Sequence, residues 1–277
     1  MNTQFKLAGL LEINRLGYGG MQLTGPGVFG EVADRPNAIK ILQTAVAEGL
    51  NFIDTSDAYG PHTNEVLIAD ALFPYKKVTI ATKGGFERGG PGQWTVNGNP
   101  KYIHDAIEGS LKRLRVEAID LWQLHRVDSR YPIEETLAPV EAAVKAGKIK
   151  HVGLSEVGVE QIERAQKVVP IVSVQNLYNL ENRQWEEVLD YTRSRGIAFI
   201  PWYPLASGPN GFSSQVHTIA KAHNASTAQI ALAWLLRHSD NIVLIPGTKS
   251  LQHLRENMDA VKIKLTEEEF KSLSVLY

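Results

Sequence analysis

Short β-branched segments alternate with longer segments of helical period along this chain of 277 residues. The predicted strands cover residues 15–21, 52–54, 78–83, 119–124, 149–154, 171–175, 197–200 and 242–245. The predicted helices cover residues 37–48, 64–72, 101–114, 133–146, 159–168, 184–194, 227–237 and 251–261. Because no long Pro/Ser-rich linker divides these segments, they predict an α/β fold: a (β/α)8 TIM barrel with an N-terminal β-hairpin around residues 5–13, forming a single domain over residues 1–277.

Glycines and capping residues support these boundaries. Gly49, Gly147 and Gly196 follow predicted helices, where a left-handed residue commonly ends the helix. The segment from Leu265 to Phe270 has the pattern of a capped terminal helix. Residues 84–100 and 206–214 are rich in glycine and polar residues, so we predict two loops at the mouth of the barrel.

Composition and charge restrict the class of partner. The formal net charge is −1, which gives no attraction to nucleic acid or to a membrane surface. Residues 1–6 lack the apolar core of a signal peptide, and no apolar run approaches the roughly 20 residues of a membrane span. The absence of cysteine excludes disulfides and thiol catalysis. We predict a cytoplasmic enzyme for a small molecule, with a monomer favoured.

Polar residues stand at the ends of several predicted strands. Asp54 and Tyr59 follow one strand, Lys83 ends the next, and His125 ends the strand after that. The C-terminal ends of parallel strands meet at one mouth of a barrel, so these four side chains are expected to converge.

Motifs along almost the whole chain resemble the aldo-keto reductase family. They lie at Phe52–Gly60, Ala81–Lys83, Asp120–His125, Gly153–Ser155, Val174–Asn176, Tyr203–Leu205 and Ile245–Thr248, followed by Glu256–Asn257. The segment Asn14–Gly30 further looks like a bacterial subgroup that includes pyridoxal reductases. The resemblance implies reduction of an aldehyde or ketone, with NADPH as cofactor and pyridoxal as one suggested substrate.

Carbonyl reduction needs a proton or strong donors at the carbonyl oxygen, where negative charge develops. Tyr59 is the candidate acid, and because a free phenol has a pKa of about 10 it needs a nearby positive charge. Lys83 can supply that charge, Asp54 can fix the ammonium group, and a neutral His125 can orient the substrate. The resemblance assigns these same catalytic roles.

Each of these residues also has a purely structural interpretation. Asp57 competes with Asp54 for the carboxylate role, and the family motif, which has the carboxylate five residues before the tyrosine, favours Asp54. A lone His125 would more often be a structural histidine. The remaining histidines lack paired metal-ligand spacing, so no metal site is predicted.

No side chain can donate hydride, so the reaction requires a cofactor. The sequence lacks a Gly-x-Gly-x-x-Gly motif that opens a strand–helix unit, and Gly17–Gly20 is interpreted as close packing in the barrel. The resemblance implies that Trp202 stacks on the nicotinamide and that Lys249 pairs with a 2′-phosphate, which favours NADPH. The other cofactor contacts that it implies are Ser155, Gln175, Tyr203, Leu205, Ser207, Gly208, Gly247, Thr248, His253, Glu256 and Asn257.

Three features depart from the family pattern. Glu156 and His253 stand where many members carry asparagine and arginine, which puts one carboxamide contact and one adenosine contact in doubt. The long C-terminal substrate loop of the mammalian branch has no counterpart, so substrate contacts are assigned to Met21, Phe86, Trp94 and Arg126, with Tyr203. Arg126 either attracts an acidic substrate, pairs with Asp128 or is solvated.

The alternative function is a cofactor-binding regulatory or adaptor subunit with incidental turnover, because the family also includes channel-associated subunits. Such a subunit predicts a large exposed apolar patch. A metal-dependent hydrolase or isomerase is disfavoured, because the acidic and histidine residues are not clustered in the sequence.

Overall fold

The computed structural model describes residues 3–205 and 212–275. Its strands are β1 Gln4–Leu7, β2 Leu11–Asn14, β3 Tyr18–Gly19, β4 Phe52–Asp54, β5 Thr79–Gly84, β6 Phe86–Gly90, β7 Gln93–Val96, β8 Ile119–Leu124, β9 Ile149–Ser155, β10 Ile171–Gln175 and β11 Ala198–Phe199. Its α-helices are α1 Arg35–Ala47, α2 Thr63–Leu72, α3 Pro100–Leu114, α4 Ile133–Lys145, α5 Val159–Gln166, α6 Glu186–Ser194, α7 Ser214–Ala222, α8 Thr227–His238, α9 Leu251–Asp259 and α10 Glu267–Ser274.

The central sheet is parallel and closes on itself. Seven strands pair in the order β3, β4, β5, β8, β9, β10 and β11. The segment 242–245 bridges the two edges, since Ile242 pairs with Phe199 and Leu244 pairs with Leu16, both in parallel. The amide of Gly17 also donates to the carbonyl of Leu244 at 2.7 Å. These contacts close the predicted (β/α)8 barrel, although residues 242–245 form bridges instead of a continuous strand.

The N-terminal hairpin β1–β2 is antiparallel, as predicted. Its residues Leu7 and Ile13 are fully buried in one cluster with Phe52, Leu121 and Val243 from the barrel strands. Burying these apolar side chains together stabilises the barrel from the hairpin side.

The helix ends follow the sequence signals. Gly49, Gly147 and Gly196 all have positive φ, between 65° and 102°, directly after a helix or its last turn. At the start of α10, Thr266 and Glu269 form the reciprocal hydrogen bonds of a capping box. After Gly49, Gly147 and Gly196 the chain enters β4, β9 and β11, respectively.

The glycine-rich segment at β3 is a close-packing element. A Cβ atom on Gly17 would lie 2.7 Å from the carbonyl oxygen of Phe52, and one on Gly19 would lie 2.5 Å from that of Ile245. The predicted strand 15–21 is shortened to Tyr18–Gly19, because a 3-10 turn begins at Gly20. That turn brings Met21 to the mouth of the barrel.

The predicted loop 84–100 contains a hairpin, β6–β7. Arg88 holds it to the barrel mouth by donating to the carbonyl groups of Val28 and Ala58 at 2.8 and 2.7 Å. The guanidinium also lies 3.6 Å from the ring centre of Trp94. The segment lies at the mouth as predicted, but most of it forms a hairpin that was not predicted, and this hairpin carries Phe86 and Trp94 over the mouth.

Candidate active site

A cavity of about 430 Å³ lies at the C-terminal ends of the barrel strands. Asp54, Tyr59 and His125 line its floor, and Phe86 and Trp94 line it from the β6–β7 hairpin. Other predicted site residues that line it are Met21, Arg126, Ser155, Gln175, Trp202, Tyr203, Leu205 and Gly247. The four predicted substrate contacts therefore surround one space.

Lys83 lies below the cavity and joins Asp54 to Tyr59. Its Nζ atom donates to Asp54 Oδ1 at 2.5 Å and to the carbonyl of Thr55 at 2.9 Å, and it lies 3.4 Å from the hydroxyl of Tyr59. The side chain of Lys83 is fully buried and that of Asp54 is 2% exposed. Asp54, and not Asp57, is therefore the carboxylate that contacts the lysine.

The charges of this cluster set its protonation. Burial lowers the pKa of Lys83, but the contacts with Asp54 and Tyr59 outweigh it and raise the pKa above its usual value. Burial raises the pKa of Tyr59, and the nearby positive charge of Lys83 opposes that shift without reversing it. At neutral pH the cluster therefore holds a charged lysine beside a protonated phenol, which can act as a proton donor.

Two glutamines complete the surroundings of Asp54. Its Oδ2 atom accepts from Gln175 Nε2 at 3.0 Å and from Gln123 Nε2 at 3.3 Å. Ser173 in turn donates to Gln123 Oε1 at 3.3 Å. Sequence reasoning missed Gln123 and Ser173, although polar residues inside otherwise apolar strands were a signal that these side chains point into the barrel.

The imidazole of His125 is neutral and enclosed by aromatic rings. Burial lowers the pKa of His125 well below its usual value, and the positive charges of Lys83 and Arg126 lower it further. Its ring centre lies 4.7 Å from that of Phe86 and 5.9 Å from that of Tyr59. The Nδ1 atom lies 3.1 Å from the hydroxyl of Ser56, a residue that sequence reasoning also missed.

Arg126 lies at the side of the cavity between two aromatic rings. Its Cζ atom is 5.6 Å from the ring centre of Phe86 and 5.7 Å from that of Trp202. Nη1 donates to the carbonyl of His125 at 2.6 Å and to Ser155 Oγ at 2.9 Å. The predicted alternative of a salt bridge to Asp128 is wrong, because Arg130 pairs with that carboxylate at 2.7 Å.

Trp202 is anchored through its indole nitrogen. Nε1 donates to Glu156 Oε1 at 2.7 Å, and the amide of Leu177 donates to the same oxygen at 2.5 Å. Glu156 therefore orients the indole at the cavity wall, a use of this residue that the family pattern did not suggest. Of the other predicted contacts on this wall, Ser207 and Gly208 lie outside the described residues.

The segment from Gly247 to Asn257 leads away from the cavity. Thr248 is buried and its carbonyl accepts from the hydroxyl of Tyr18 at 2.5 Å. Lys249 is exposed, and Ser250 caps α9 immediately after it by accepting from the amide of His253. His253 is exposed, Glu256 is half-buried and Asn257 is buried. A lysine next to a helix N-terminus is a favourable place for an anion.

No described helix is long and apolar enough to cross a membrane. Within residues 3–205 and 212–275, no three histidine, aspartate or glutamate side chains form a group that could hold a metal ion.

Known proteins resemble this chain over almost its full length. The model of the aldo/keto reductase family matches residues 15–210 and 212–277. An uncharacterized oxidoreductase of Schizosaccharomyces pombe is 46% identical over 266 residues, covering 96% of this chain and 87% of that protein. Pyridoxine 4-dehydrogenase of Escherichia coli is 42% identical over 280 residues, covering 99% and 98%. A crystal structure of a Klebsiella pneumoniae aldo-keto reductase with NADPH has a TM-score of 0.85 at 25% identity, covering 100% and 95%.

Proposed function

Because this chain belongs to the aldo-keto reductase family, we propose that it reduces a small aldehyde or ketone to an alcohol with NADPH, using Tyr59 as the proton donor. The observation that carries the proposal is the buried contact of Lys83 with Asp54 and Tyr59 at the floor of the cavity. A structural salt bridge would not need a phenol facing an apolar cavity.

Tyr59 supplies the proton in this mechanism. As hydride reaches the carbonyl carbon, negative charge develops on the oxygen, and the phenol donates its proton there. The ammonium of Lys83, 3.4 Å away, stabilises the phenolate that remains. Asp54 holds Lys83 in position, and the two glutamines keep the carboxylate in place.

His125 orients the substrate. A neutral imidazole can donate one hydrogen bond to the carbonyl oxygen without competing as a second acid. The rings of Phe86 and Trp94, 5.3 Å apart, cover the site from the hairpin. Excluding water there strengthens the electrostatic contacts of the reacting oxygen.

The residues present fit a nicotinamide dinucleotide. NADPH supplies hydride, and the Klebsiella relative has a structure with that cofactor. We assign the flat face of Trp202 to the nicotinamide, Ser155 and Gln175 to its carboxamide, and Tyr203, Leu205, Ser207 and Gly208 to the pyrophosphate. Lys249, with the capped start of α9, would hold the 2′-phosphate. The remaining assigned contacts are Gly247, Thr248, His253, Glu256 and Asn257.

The cavity suits a small planar aldehyde. Five phenylalanine, tyrosine and tryptophan side chains line it together with Met21, and Arg126 presents a positive charge at its side. The likeness to a pyridoxine 4-dehydrogenase supports pyridoxal as a candidate substrate. The single domain, the cytoplasmic location and the monomeric state stay predictions from the sequence.

The adaptor alternative has no supporting observation. The large apolar side chains that are exposed among the described residues belong to separate segments: Leu10, Met21, Phe73, Tyr203 and Val275. Two of them, Met21 and Tyr203, line the cavity. Such a scatter is normal for a protein surface.

The test is a panel of aldehydes with and without a negatively charged group, pyridoxal included, mixed with NADPH that carries deuterium at the transferred position. The expected result is aldehyde-dependent NADPH consumption, with deuterium on the former carbonyl carbon of the product. Consumption that does not depend on any carbonyl compound, or an unlabelled alcohol, would overturn the proposal.

A further inference from the structure

The hydroxyl of Ser56 connects a buried carboxyl group to the proposed orienting histidine. Ser56 Oγ lies 3.2 Å from Asp57 Oδ1 and 3.1 Å from His125 Nδ1. It also accepts from the amide of Ala58 at 3.1 Å. Ser56 is fully buried, Asp57 is 2% exposed and His125 is 6% exposed, so water does not compete freely for these contacts.

The single hydrogen of the Ser56 hydroxyl limits which hydrogen bonds can form together. A hydroxyl donates once, so Ser56 can donate to Asp57 or to His125 but not to both. The third acceptor nearby, the carbonyl of Lys83, is the most distant at 3.3 Å and already accepts from the amide of Asp57 at 3.1 Å. The direction of the Ser56 hydroxyl therefore depends on whether Asp57 carries a proton.

We propose that Ser56 and Asp57 are positioning residues that set the tautomer of His125. Protonated Asp57 donates to Ser56, Ser56 donates to Nδ1, and the single ring proton is left on Nε2. Nε2 has no hydrogen-bond partner among the residues that the structure describes, and His125 lines the cavity. The ring N–H that would donate to the carbonyl oxygen is thus on the cavity side of His125. This catalytic role rests on the proposed function, whereas the tautomer itself does not.

The surroundings of Asp57 favour the protonated form. Burial raises the pKa of Asp57 to about 8, and the carboxylate of Glu65 on α2 adds to the shift. Arg113 on α3 lowers that pKa, but its guanidinium is paired with Glu65 at 2.6 Å. Tyr102 on α3 also faces this carboxyl group, and His62, before α2, donates its amide to the Asp57 carbonyl.

The opposite arrangement follows when Asp57 loses its proton. The Ser56 hydroxyl then donates to Asp57 Oδ1, and His125 carries its proton on Nδ1 and donates to Ser56 Oγ. In both states Ser56 Oγ accepts two hydrogen bonds, one of them from Ala58. The states differ by one proton, which is lost in effect from Nε2, so the donor to the carbonyl oxygen disappears at alkaline pH.

The experiment measures the tautomer directly, by the nitrogen chemical shifts of the His125 ring in the full-length protein labelled with 15N-histidine. The chain has eight histidines, and a His125→Asn variant assigns the signal. The parent should have the proton on Nε2 at pH 6.5 to 7 and move it to Nδ1 with a midpoint of about 8. In Asp57→Asn, whose amide does not ionise and can donate to Ser56 through Nδ2, the proton should stay on Nε2 at every pH.

Kinetics add a second measurement. Ser56→Ala should lower kcat/KM about tenfold at neutral pH, the effect of one hydrogen bond, and should remove the pH-dependent change of tautomer. The matched control is Ser239→Ala, which deletes another buried serine hydroxyl, one that donates to Asn241, and should leave the His125 signal unchanged. An Nδ1 proton in the parent at neutral pH, or an unchanged transition in Asp57→Asn, would overturn the proposal. A failure to reduce carbonyl compounds would leave the tautomer result standing.

Discussion

Replacing Lys83 by methionine should lower the free energy of unfolding, because it leaves the buried carboxylate of Asp54 without its positively charged partner. The side chain of Lys83 is fully buried and that of Asp54 is 2% exposed. Lys83→Met therefore leaves the Asp54 carboxylate with only two amide donors. Removing one partner of a buried ion pair costs about 3–5 kcal/mol. Proton uptake limits the cost at pH 7 to about 4 kcal/mol, because an aspartate of usual pKa must be neutralised about three pH units above it.

The pH dependence of this loss of stability tests whether a buried charge causes it. In Lys83→Met the folded state takes up a proton that the unfolded chain does not hold, so the variant loses stability as the pH rises above about 4. The cost should fall to about 1.5 kcal/mol at pH 5, where neutralisation spans about one pH unit. Urea unfolding at both pH values measures the free energy of unfolding, and at pH 7 the melting temperature should drop by about 8 °C or more.

Two controls separate the charge from the loss of a lysine. The exposed Lys40 on α1 gives a matched change, and Lys40→Met should alter the free energy of unfolding by less than about 0.5 kcal/mol. Adding Asp54→Asn to Lys83→Met removes the unpaired charge and should recover part of the loss. Equal costs at pH 5 and pH 7, or strictly additive losses in the double variant, would refute the assignment of a buried ion pair.

Two further predictions concern the cofactor. NADPH binding should quench tryptophan fluorescence, and Trp202→Ala should weaken NADPH binding more than Trp202→Phe, because phenylalanine keeps a flat face and loses only the contact with Glu156; equal affinities in the two variants would place the nicotinamide elsewhere. The parent should prefer NADPH to NADH by roughly ten to thirty times, about 1–2 kcal/mol for one exposed lysine, and dissociation constants at low and moderate salt should show this preference lost in Lys249→Met; an unchanged NADPH affinity would remove Lys249 from the 2′-phosphate site.

The sequence was sufficient to predict the barrel and the convergence of Asp54, Tyr59, Lys83 and His125. Strand ends are local signals, and closure of a parallel barrel brings them together whatever the detailed packing. The eighth strand at 242–245 was predicted as a strand, but only the structure has the bridges to Leu16 and Phe199 that close the barrel.

The supporting contacts were less accessible to sequence reasoning. Ser56 and Gln123 make hydrogen bonds to residues that are distant in sequence, His125 and Asp54. No local pattern indicates that Ser56 reaches His125. The β6–β7 hairpin was missed because its residues are rich in glycine and polar side chains, which are typical of loops. Glu156 was noted only as a departure from the family, and its contact with Trp202 depends on the packing of two strand ends.

The most direct test of Tyr59 as the proton donor is the single-turnover rate of NADPH oxidation with an aldehyde substrate in Tyr59→Phe. We expect a rate at least ~100-fold below that of the parent with a nearly unchanged dissociation constant for NADPH, since the hydroxyl acts only as charge develops. The matched control Tyr75→Phe, which removes a buried hydroxyl bonded to the carbonyl of Leu114, should keep the parental rate. A Tyr59→Phe rate within a few-fold of the parent would exclude Tyr59 as the proton donor.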